Sequence, residues 1–551
     1  MNQVEFNLLD EPWIRVRDAA CRVQEVSLAD ALLRAQEFTD LAGEMPTQDA
    51  AMLRLLLAVL QSVFCRVDAA GESAPLWDED DADAAVERWE ELWSLGRIPE
   101  APVRDYLARW HDRFWLFHPE RPFYQVPEAG IGTDYAAAKL NGEIAESGNK
   151  LRLFSAYAGA GKAELRYAQA ARWLLYVNGY DDTSAKPKGK NLPSPGAGWL
   201  GKIGLIYATG ANLFETLLLN LVLAREDGRP WGEPRPCWEL DAPRSRERTE
   251  IAPPDNQAEL LTLQSRRLLL HRSGDRVTGY SLLGGDFFGR ENAFFEQMTV
   301  WRRRAETKNA PAAFLPKRHD PAKQFWREFP SVFVKQKEVQ VPGIVSWLGK
   351  LQEEDERLGK RMLHFRIVGV EYGDKDFFVT DAFQDGLSFH ASLLEELGRS
   401  WRAWITEEIG HCEQLAQAVG SLAYDLSLAS GDKPTPAAKT AAAKAQRARE
   451  QFYFQIDQPF RQWLYKIEPK WGEKETQEHI ASWRSQALRI ARTLGQRLVD
   501  RAGDAAFVGR KVTMAAERGG KKEEAKSFYS ASPKSFSYFQ YRIRTEYKEK
   551  Q

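Results

Sequence analysis

Apolar residues change their spacing once in this sequence, near residue 390. Between about 230 and 385, short apolar runs alternate with turn residues, which predicts strands mixed with helices. From 390 onward they recur every three to four positions, the spacing of one helix face. Residues 391–429 form the first such stretch. Thr435 as N-cap, with Pro436 at the first helical position, opens the second. Ile480, Trp483, Ala487, Ala491, Leu494 and Leu498 line the third. Ser532-Pro533 repeats the capping signal before a fourth, with Phe536, Phe539, Ile543 and Tyr547 on one stripe. Residues 430–436, rich in Gly, Asp, Lys and Pro, are a short connection between two of them. Four helices so joined predict an antiparallel bundle. The expected fold is α+β: a large mixed N-terminal globular domain over 1–385, followed by a C-terminal antiparallel four-helix bundle over 390–551.

Within the first part, residues 6–17 read as an extended segment and turn. Residues 48–65 carry Met52, Leu53, Leu56, Leu57, Leu60 and Phe64, the pattern of a largely buried helix. An acidic stretch at 78–83 opens a helix bearing Trp89 and Trp93, where carboxylates suit the helix dipole. Residues 212–224 predict a strongly apolar helix. Residues 181–201, rich in Gly, Pro, Lys and Ser, predict a loop. No stretch of about 18 apolar residues occurs, so no membrane span is expected. The first ten residues lack the signal-peptide pattern, and a cytoplasmic protein is expected.

No catalytic constellation emerges. The eight histidines are dispersed, and the dipeptides His111-Asp112 and His319-Asp320 have no H-x-x-x-H or H-E-x-x-H partner. Cys21, Cys65, Cys237 and Cys412 lie far apart, the pattern of buried structural thiols; neither zinc nor any cofactor is expected. Residues 196–202 match the G-x-x-x-x-G-K of a phosphate-cradling P-loop, but Ile203 replaces the hydroxyl residue that holds Mg²⁺. Asn191-Leu192-Pro193-Ser194-Pro195 is a poor strand to precede one. A glycine loop has another use: a backbone without side chains approaches a groove or phosphate closely.

Basic residues cluster beside it. Lys186, Lys188 and Lys190 precede the glycines; Arg302, Arg303, Arg304 and Lys308 form a second group, and Lys317, Arg318 and Lys323 a third. A C-terminal set, Lys521, Lys522, Lys526, Lys534, Arg542 and Arg544, has Tyr and Phe interleaved. Yet 76 Lys plus Arg meet 78 Asp plus Glu, a net charge of −2, which argues against a free-standing nucleic-acid binder.

Four ordered motifs carry a resemblance. They are Asn7-Leu8-Leu9-Asp10-Glu11-Pro12-Trp13-Ile14-Arg15-Val16-Arg17, His118-Pro119-Glu120-Arg121-Pro122-Phe123-Tyr124-Gln125, Gly210-Ala211-Asn212-Leu213-Phe214-Glu215 with its helix, and Leu261-Thr262-Leu263-Gln264-Ser265-Arg266-Arg267. In order and spacing the chain resembles the CasA-type large subunit of Cascade, the type I-E CRISPR surveillance complex. The resemblance implies a non-enzymatic subunit that recognises the protospacer-adjacent motif in double-stranded DNA, starts strand separation, stabilises the R-loop and docks a helicase-nuclease recruited in trans. Guide pairing reads the sequence, and the protein reads the motif and the backbone. The implied partners are the other Cascade subunits, the CRISPR guide RNA and double-stranded target DNA, with no membrane. A multi-subunit complex also accounts for the modest charge, since this subunit then needs only local basic patches.

The family's glycine loop falls within 189–201, on Gly196, Ala197 and Gly198 with Gly189 as the alternative, and Lys186, Lys188 and Lys190 stand beside it. Its DNA wedge falls on the turn Gly373-Asp374-Lys375-Asp376, where two carboxylates would repel phosphates. Its motif-contacting lysine aligns with Gln297. Its guide-handle loop falls on 154–161, with Phe154, Ser155 and Tyr157. Two alternatives stand beside this reading: a P-loop-like NTP-binding enzyme through residues 196–202, and a purely structural adaptor.

Overall fold

A computed structural model describes residues 4–79, 83–147, 151, 155, 157–183, 191–353, 358–432, 439–518 and 521–546. The chain divides into two units. The first takes in residues 1–325 and 331–387; the second takes in 326–330 and 388–551.

The first unit is organised around two helices with almost no polar face. Pro46–Phe64 is buried along nearly its whole length, with Pro46 in the first turn where its missing N–H costs nothing. Tyr167–Tyr180 is equally buried and packs against it. A helix apolar all round belongs inside a core, not on a surface. Small antiparallel sheets surround the pair. Ile14–Asp18 lies between Val23–Val26 and Phe38–Leu41. Arg266–Ser273 pairs with Arg276–Gly284. Met362–Tyr372 sits between Leu205–Thr209 and Val379–His390. Met362–Tyr372 and Val379–His390 form a long hairpin whose tip lies at 373–378.

The helix expected over 212–224 is shorter, Leu213–Leu219. Asn212 caps its start, accepting from the Glu215 N–H at 2.9 Å. Asn220 ends it. Its amide accepts from the Ala208 N–H and donates to the Ala208 carbonyl, mimicking a strand partner for Leu205–Thr209. A side-chain bond won against helix propagation.

The second unit contains the long helices Arg399–Ser430, Lys439–Tyr465, Glu473–Asp500 and Ser532–Thr545. The first packs on the other three. Phe452, Ile456, Phe460, Trp483, Leu494, Phe539 and Ile543 fill the space between them. Trp326 joins this core from far upstream: its ring stacks on Phe460 at 4.3 Å and its N–H donates to Asp457 at 2.9 Å. Thr435, Pro436 and Tyr547 lie outside the described residues.

An unexpected hairpin, Arg510–Arg518 with Lys521–Ser530, stands between the third and fourth long helices. The run Lys-Lys-Glu-Glu-Ala-Lys hides strand alternation under charge, and no apolar period marks it. Gly519-Gly520, the residue pair that suits a two-residue hairpin turn, was the available signal. Among the described residues, no helix is long and apolar enough to cross a membrane.

Candidate nucleic-acid interface

The glycine loop is held from beneath by three cations. The Arg266 guanidinium donates to the Gly196 carbonyl at 2.7 Å, Lys202 Nζ to the Pro195 carbonyl at 3.4 Å, and Arg248 to the Pro193 carbonyl. Each comes from a different segment, so the carbonyls of this stretch are drawn towards the protein. Arg266 is itself fixed by Asp181 at 2.6 Å, with both side chains buried. Arg267 donates to Asp286 and to the Ser245 carbonyl at 2.9 Å, which anchors the segment carrying Arg248. The Gln264-Ser265-Arg266-Arg267 motif thus braces the loop.

The three glycine-loop residues have unequal roles. Gly196 is half-exposed, with φ +62°, a region that suits glycine. Ala197 is buried. Gly198 is buried against the end of Tyr167–Tyr180, where a Cβ would stand 2.3 Å from the Gly179 carbonyl oxygen. Its close approach is to its own protein. After it, Trp199–Lys202 makes a helix of four residues. This is not the strand, nest and long helix of a P-loop. The Trp199 N–H donates to Glu296 at 2.8 Å, and Glu296 pairs with Arg54 through bonds of 2.9 and 3.0 Å.

Lys202 reports the local field. Burial, together with repulsion from Arg266, Arg248, Arg290 and Arg318, pulls its amine down to about 8. The folded value lies below the ordinary 10.5, so the unfolded chain binds more protons between the two. The charge's cost is therefore full below about pH 8 and is relieved as pH rises from there towards 10.5. The stability advantage of Lys202→Met over the parent chain is expected to shrink between pH 8 and pH 10 in thermal melts. An advantage that does not change with pH would contradict this field.

The tip of the long hairpin lies in the same neighbourhood. The Arg318 guanidinium makes a bidentate pair with Asp376, 2.8 Å in each arm, and lies over the Tyr372 ring at 4.9 Å. The Tyr372 hydroxyl donates to the Tyr180 carbonyl at 2.8 Å. The Thr183 N–H donates to the Asp376 carbonyl at 2.9 Å, and its hydroxyl to the Lys375 carbonyl at 3.0 Å. Thr183 is the last described residue before residues 184–190, where Lys186, Lys188 and Lys190 fall outside the described residues. Lys375 and Asp376 both have left-handed backbone, φ +54° and +58°. Lys375 is exposed, as are Asp374, Phe377 and Phe378. One of the two carboxylates expected to repel phosphates is thus neutralised by Arg318. Gly373 is half-exposed, and a Cβ on it would meet the Phe378 ring.

Other sequence-derived positions stand apart. Gln297 is 5% exposed, and its amide donates to the Phe294 carbonyl at 2.8 Å. It does not present itself to a base edge, because that bond and the packing of Gly343 hold it. Phe154 lies outside the described residues; Ser155 is exposed and accepts from the Tyr157 N–H at 3.2 Å. The Tyr157 hydroxyl donates to Glu143, which pushes the phenol up to about 12. Arg303 is paired with Glu338 at 3.1 Å. His111 meets Asp10 at 2.8 Å, and His319 meets the Leu205 carbonyl at 3.1 Å. Of the cysteines expected to be buried, Cys21 is exposed in the turn between Ile14–Asp18 and Val23–Val26, and Cys237 is only partly covered. Sequence reasoning missed Arg248, Arg266 and Arg290. Arg266 was visible as part of a motif, but nothing in the sequence tied it to the loop seventy residues earlier.

The sequence profile described as CRISPR-associated protein Cse1 matches residues 7–494. The chain is 34% identical over 338 residues to the CRISPR-associated protein CasA/Cse1 of Thermus thermophilus. That match spans 60% of this chain and 61% of the relative's length. The crystal structure of Thermobifida fusca Cse1 superposes with a TM-score of 0.81 at 27% identity, covering 98% of each chain. A chain of a solved CRISPR RNA-guided surveillance complex shares the fold at 18% identity, with a TM-score of 0.64 over 91% of this chain and 99% of that one.

Proposed function

The chain belongs to the CRISPR-associated Cse1 family, and from that premise we propose that it is the large subunit of an RNA-guided effector complex and reads the protospacer-adjacent motif in duplex DNA. One observation carries the reading. The braced glycine loop, the electropositive surroundings of Lys202 and the hairpin tip at 373–376 are tied to one another through Arg266, Tyr372 and Thr183. A phosphate arriving there meets the field of Arg266, Arg248, Arg290 and Arg318 that, with burial, lowers the Lys202 amine. Gly196 lets backbone approach the minor groove, whose degenerate code permits several related motifs. Lys186, Lys188 and Lys190 contact phosphates. Gly373, Asp374, Lys375 and Asp376 form the wedge that starts strand separation, which needs an exposed, stiff tip. Ser155 and Tyr157 meet the guide's handle. The chain has no catalysis of its own; it works in the cytoplasm with the other Cascade subunits and docks a helicase-nuclease.

A gel-shift titration tests this. Guide-loaded complex, with and without this chain, meets matched duplexes that differ only in the three base pairs beside the target. Tighter binding for some flanks, only when the chain is present, is the expected result. Indifference to both chain and flank would leave the adaptor reading instead. Reversing the charge of Lys186, Lys188 and Lys190 is expected to weaken binding and flatten its salt dependence, by about 0.9 in the log–log slope per lost phosphate contact. Saturable ATP binding abolished by Lys202→Ala would revive the NTP-binding reading.

A further inference from the structure

The segment His118-Pro119-Glu120-Arg121-Pro122-Phe123-Tyr124-Gln125 is not used by the motif-reading site. Its second half lines a cavity of about 40 Å³ in the first unit, together with Arg113, Arg244, Gln264 and Trp238. The floor is firm. The Phe123 ring stacks on Phe114 at 5.0 Å, and the Trp238 ring lies 6.4 Å from the first and 5.2 Å from the second. The Trp238 indole N–H donates to the Tyr106 hydroxyl at 2.8 Å. Tyr124 has left-handed backbone, φ +56°, an uncommon conformation for a bulky residue.

The walls are cationic. Arg113, Arg121 and Arg244 come from three separate segments. Arg244 pairs with Asp286 at 3.0 Å, but the same buried carboxylate also answers Arg267. Among the described residues, neither Arg113 nor Arg121 forms an ion pair. Burial and repulsion from Arg121 hold the Arg113 guanidinium below its ordinary value, and that repulsion outweighs the pull of Asp241 or of Asp112. Gln264 is 8% exposed, and its side-chain amide has no hydrogen-bond partner among the described residues. An amide so buried is ordinarily bonded, so its free donor points to a group that supplies an acceptor.

Three guanidiniums and an amide donor call for a compact anion with several oxygens. A carboxylate is planar and offers two. A tetrahedral oxyanion offers one oxygen to each segment, and phosphate suits the guanidinium fork. The volume is far below the roughly 300 Å³ at which pockets begin to hold whole small molecules, so the cavity takes the anionic group and not a base or a sugar. We propose that this cavity is a phosphate-binding site, in which Arg113, Arg121 and Arg244 hold one phosphate group and Gln264 donates to it. Free orthophosphate and the phosphodiester of a nucleic-acid strand share this chemistry.

Isothermal titration calorimetry of the full chain tests this without guide or target motif, so it succeeds or fails separately from the motif-reading function. The titrants, at equal ionic strength, are sodium orthophosphate, a thymidine dinucleotide with its single phosphodiester, and sodium acetate. A phosphate is expected to bind roughly tenfold or more tighter than acetate, the worth of one hydrogen bond between charged groups. Arg113→Gln and Arg121→Gln are each expected to weaken it by roughly tenfold or more. Arg121→Lys, which keeps the charge and loses the fork, is expected to fall between. Gln264→Glu is expected to abolish binding by placing a carboxylate against the anion. Arg104→Gln removes the same charge from an exposed pair with Glu100, outside the cavity, and is expected to change nothing. Arg113 and Arg121 are half-exposed, and unchanged melting curves check that their variants fold. Of the two phosphates, the tighter names the source: the free ion, or a nucleic-acid strand. Acetate bound as tightly as either, binding that Arg113→Gln and Arg121→Gln leave unchanged, or no binding of either phosphate overturns the proposal.

Discussion

Glu296→Ala is expected to melt the first unit far below the parent chain. Glu296 is 1% exposed, and its carboxylate answers three groups at once: the Arg54 guanidinium through two bonds, the Trp199 indole at 2.8 Å and the Met298 N–H at 3.1 Å. Arg54 is 3% exposed, within the helix that forms the centre of the unit. Removing the acid strands a buried cation without a counter-charge. Breaking such a pair from one side costs about 3–5 kcal/mol. Glu296→Gln keeps the shape and one acceptor but still leaves Arg54 uncompensated, so it is expected to fall between. The double variant Arg54→Met, Glu296→Leu is expected to recover most of the loss, because apolar residues of similar volume often replace a buried pair at little cost. Circular dichroism melts of the four chains read this directly. A Glu296→Ala chain that melts with the parent would show that water or rearrangement rescues Arg54.

The second large effect is expected at Gly198. A Cβ there meets the Gly179 carbonyl oxygen at 2.3 Å and the Gly179 carbonyl carbon at 2.6 Å. Neither atom is the end of a flexible side chain, so backbone must move. Gly198→Ala is expected to cost about 1–3 kcal/mol, the range for overpacking, and to lift the glycine loop from the helix beneath it. In the assembled complex it is expected to erase discrimination between flanks more than it lowers overall affinity, because the distant phosphate contacts remain. Gly196→Ala is the comparison. Its Cβ makes only ordinary contact, 3.7 Å from the Lys202 side chain, but φ is +62°; backbone strain of about 1 kcal/mol is its main penalty. Equal melting temperatures and flank preferences for Gly198→Ala and the parent would refute the packing role.

Several features were legible in the sequence because they are local. The buried helix Pro46–Phe64 shows in the dense apolar pattern of Met52, Leu53, Leu56, Leu57, Leu60 and Phe64, and three of the long C-terminal helices in their three-to-four spacing. The turn at 373–376 shows between two apolar stretches, and the glycine loop in its composition. The motif order was enough to name the family, since it needs only residue types and intervals. The hairpin at 510–530 was not legible, because the run Lys521-Lys522-Glu523-Glu524-Ala525-Lys526 carries charge with no apolar period.

The sequence by itself determined the long helices, the apolar stripes that bury them, and the turn at 373–376, since these follow from spacing along a chain. Tertiary structure decided what those parts do. It turned Gly198 towards Gly179 instead of outward, gathered Arg248, Lys202 and Arg266 beneath one loop, neutralised Asp376 with Arg318, and buried Gln297. Charge and burial depend on distance in space, and several of these partners come from positions up to seventy residues apart, where no local pattern couples them.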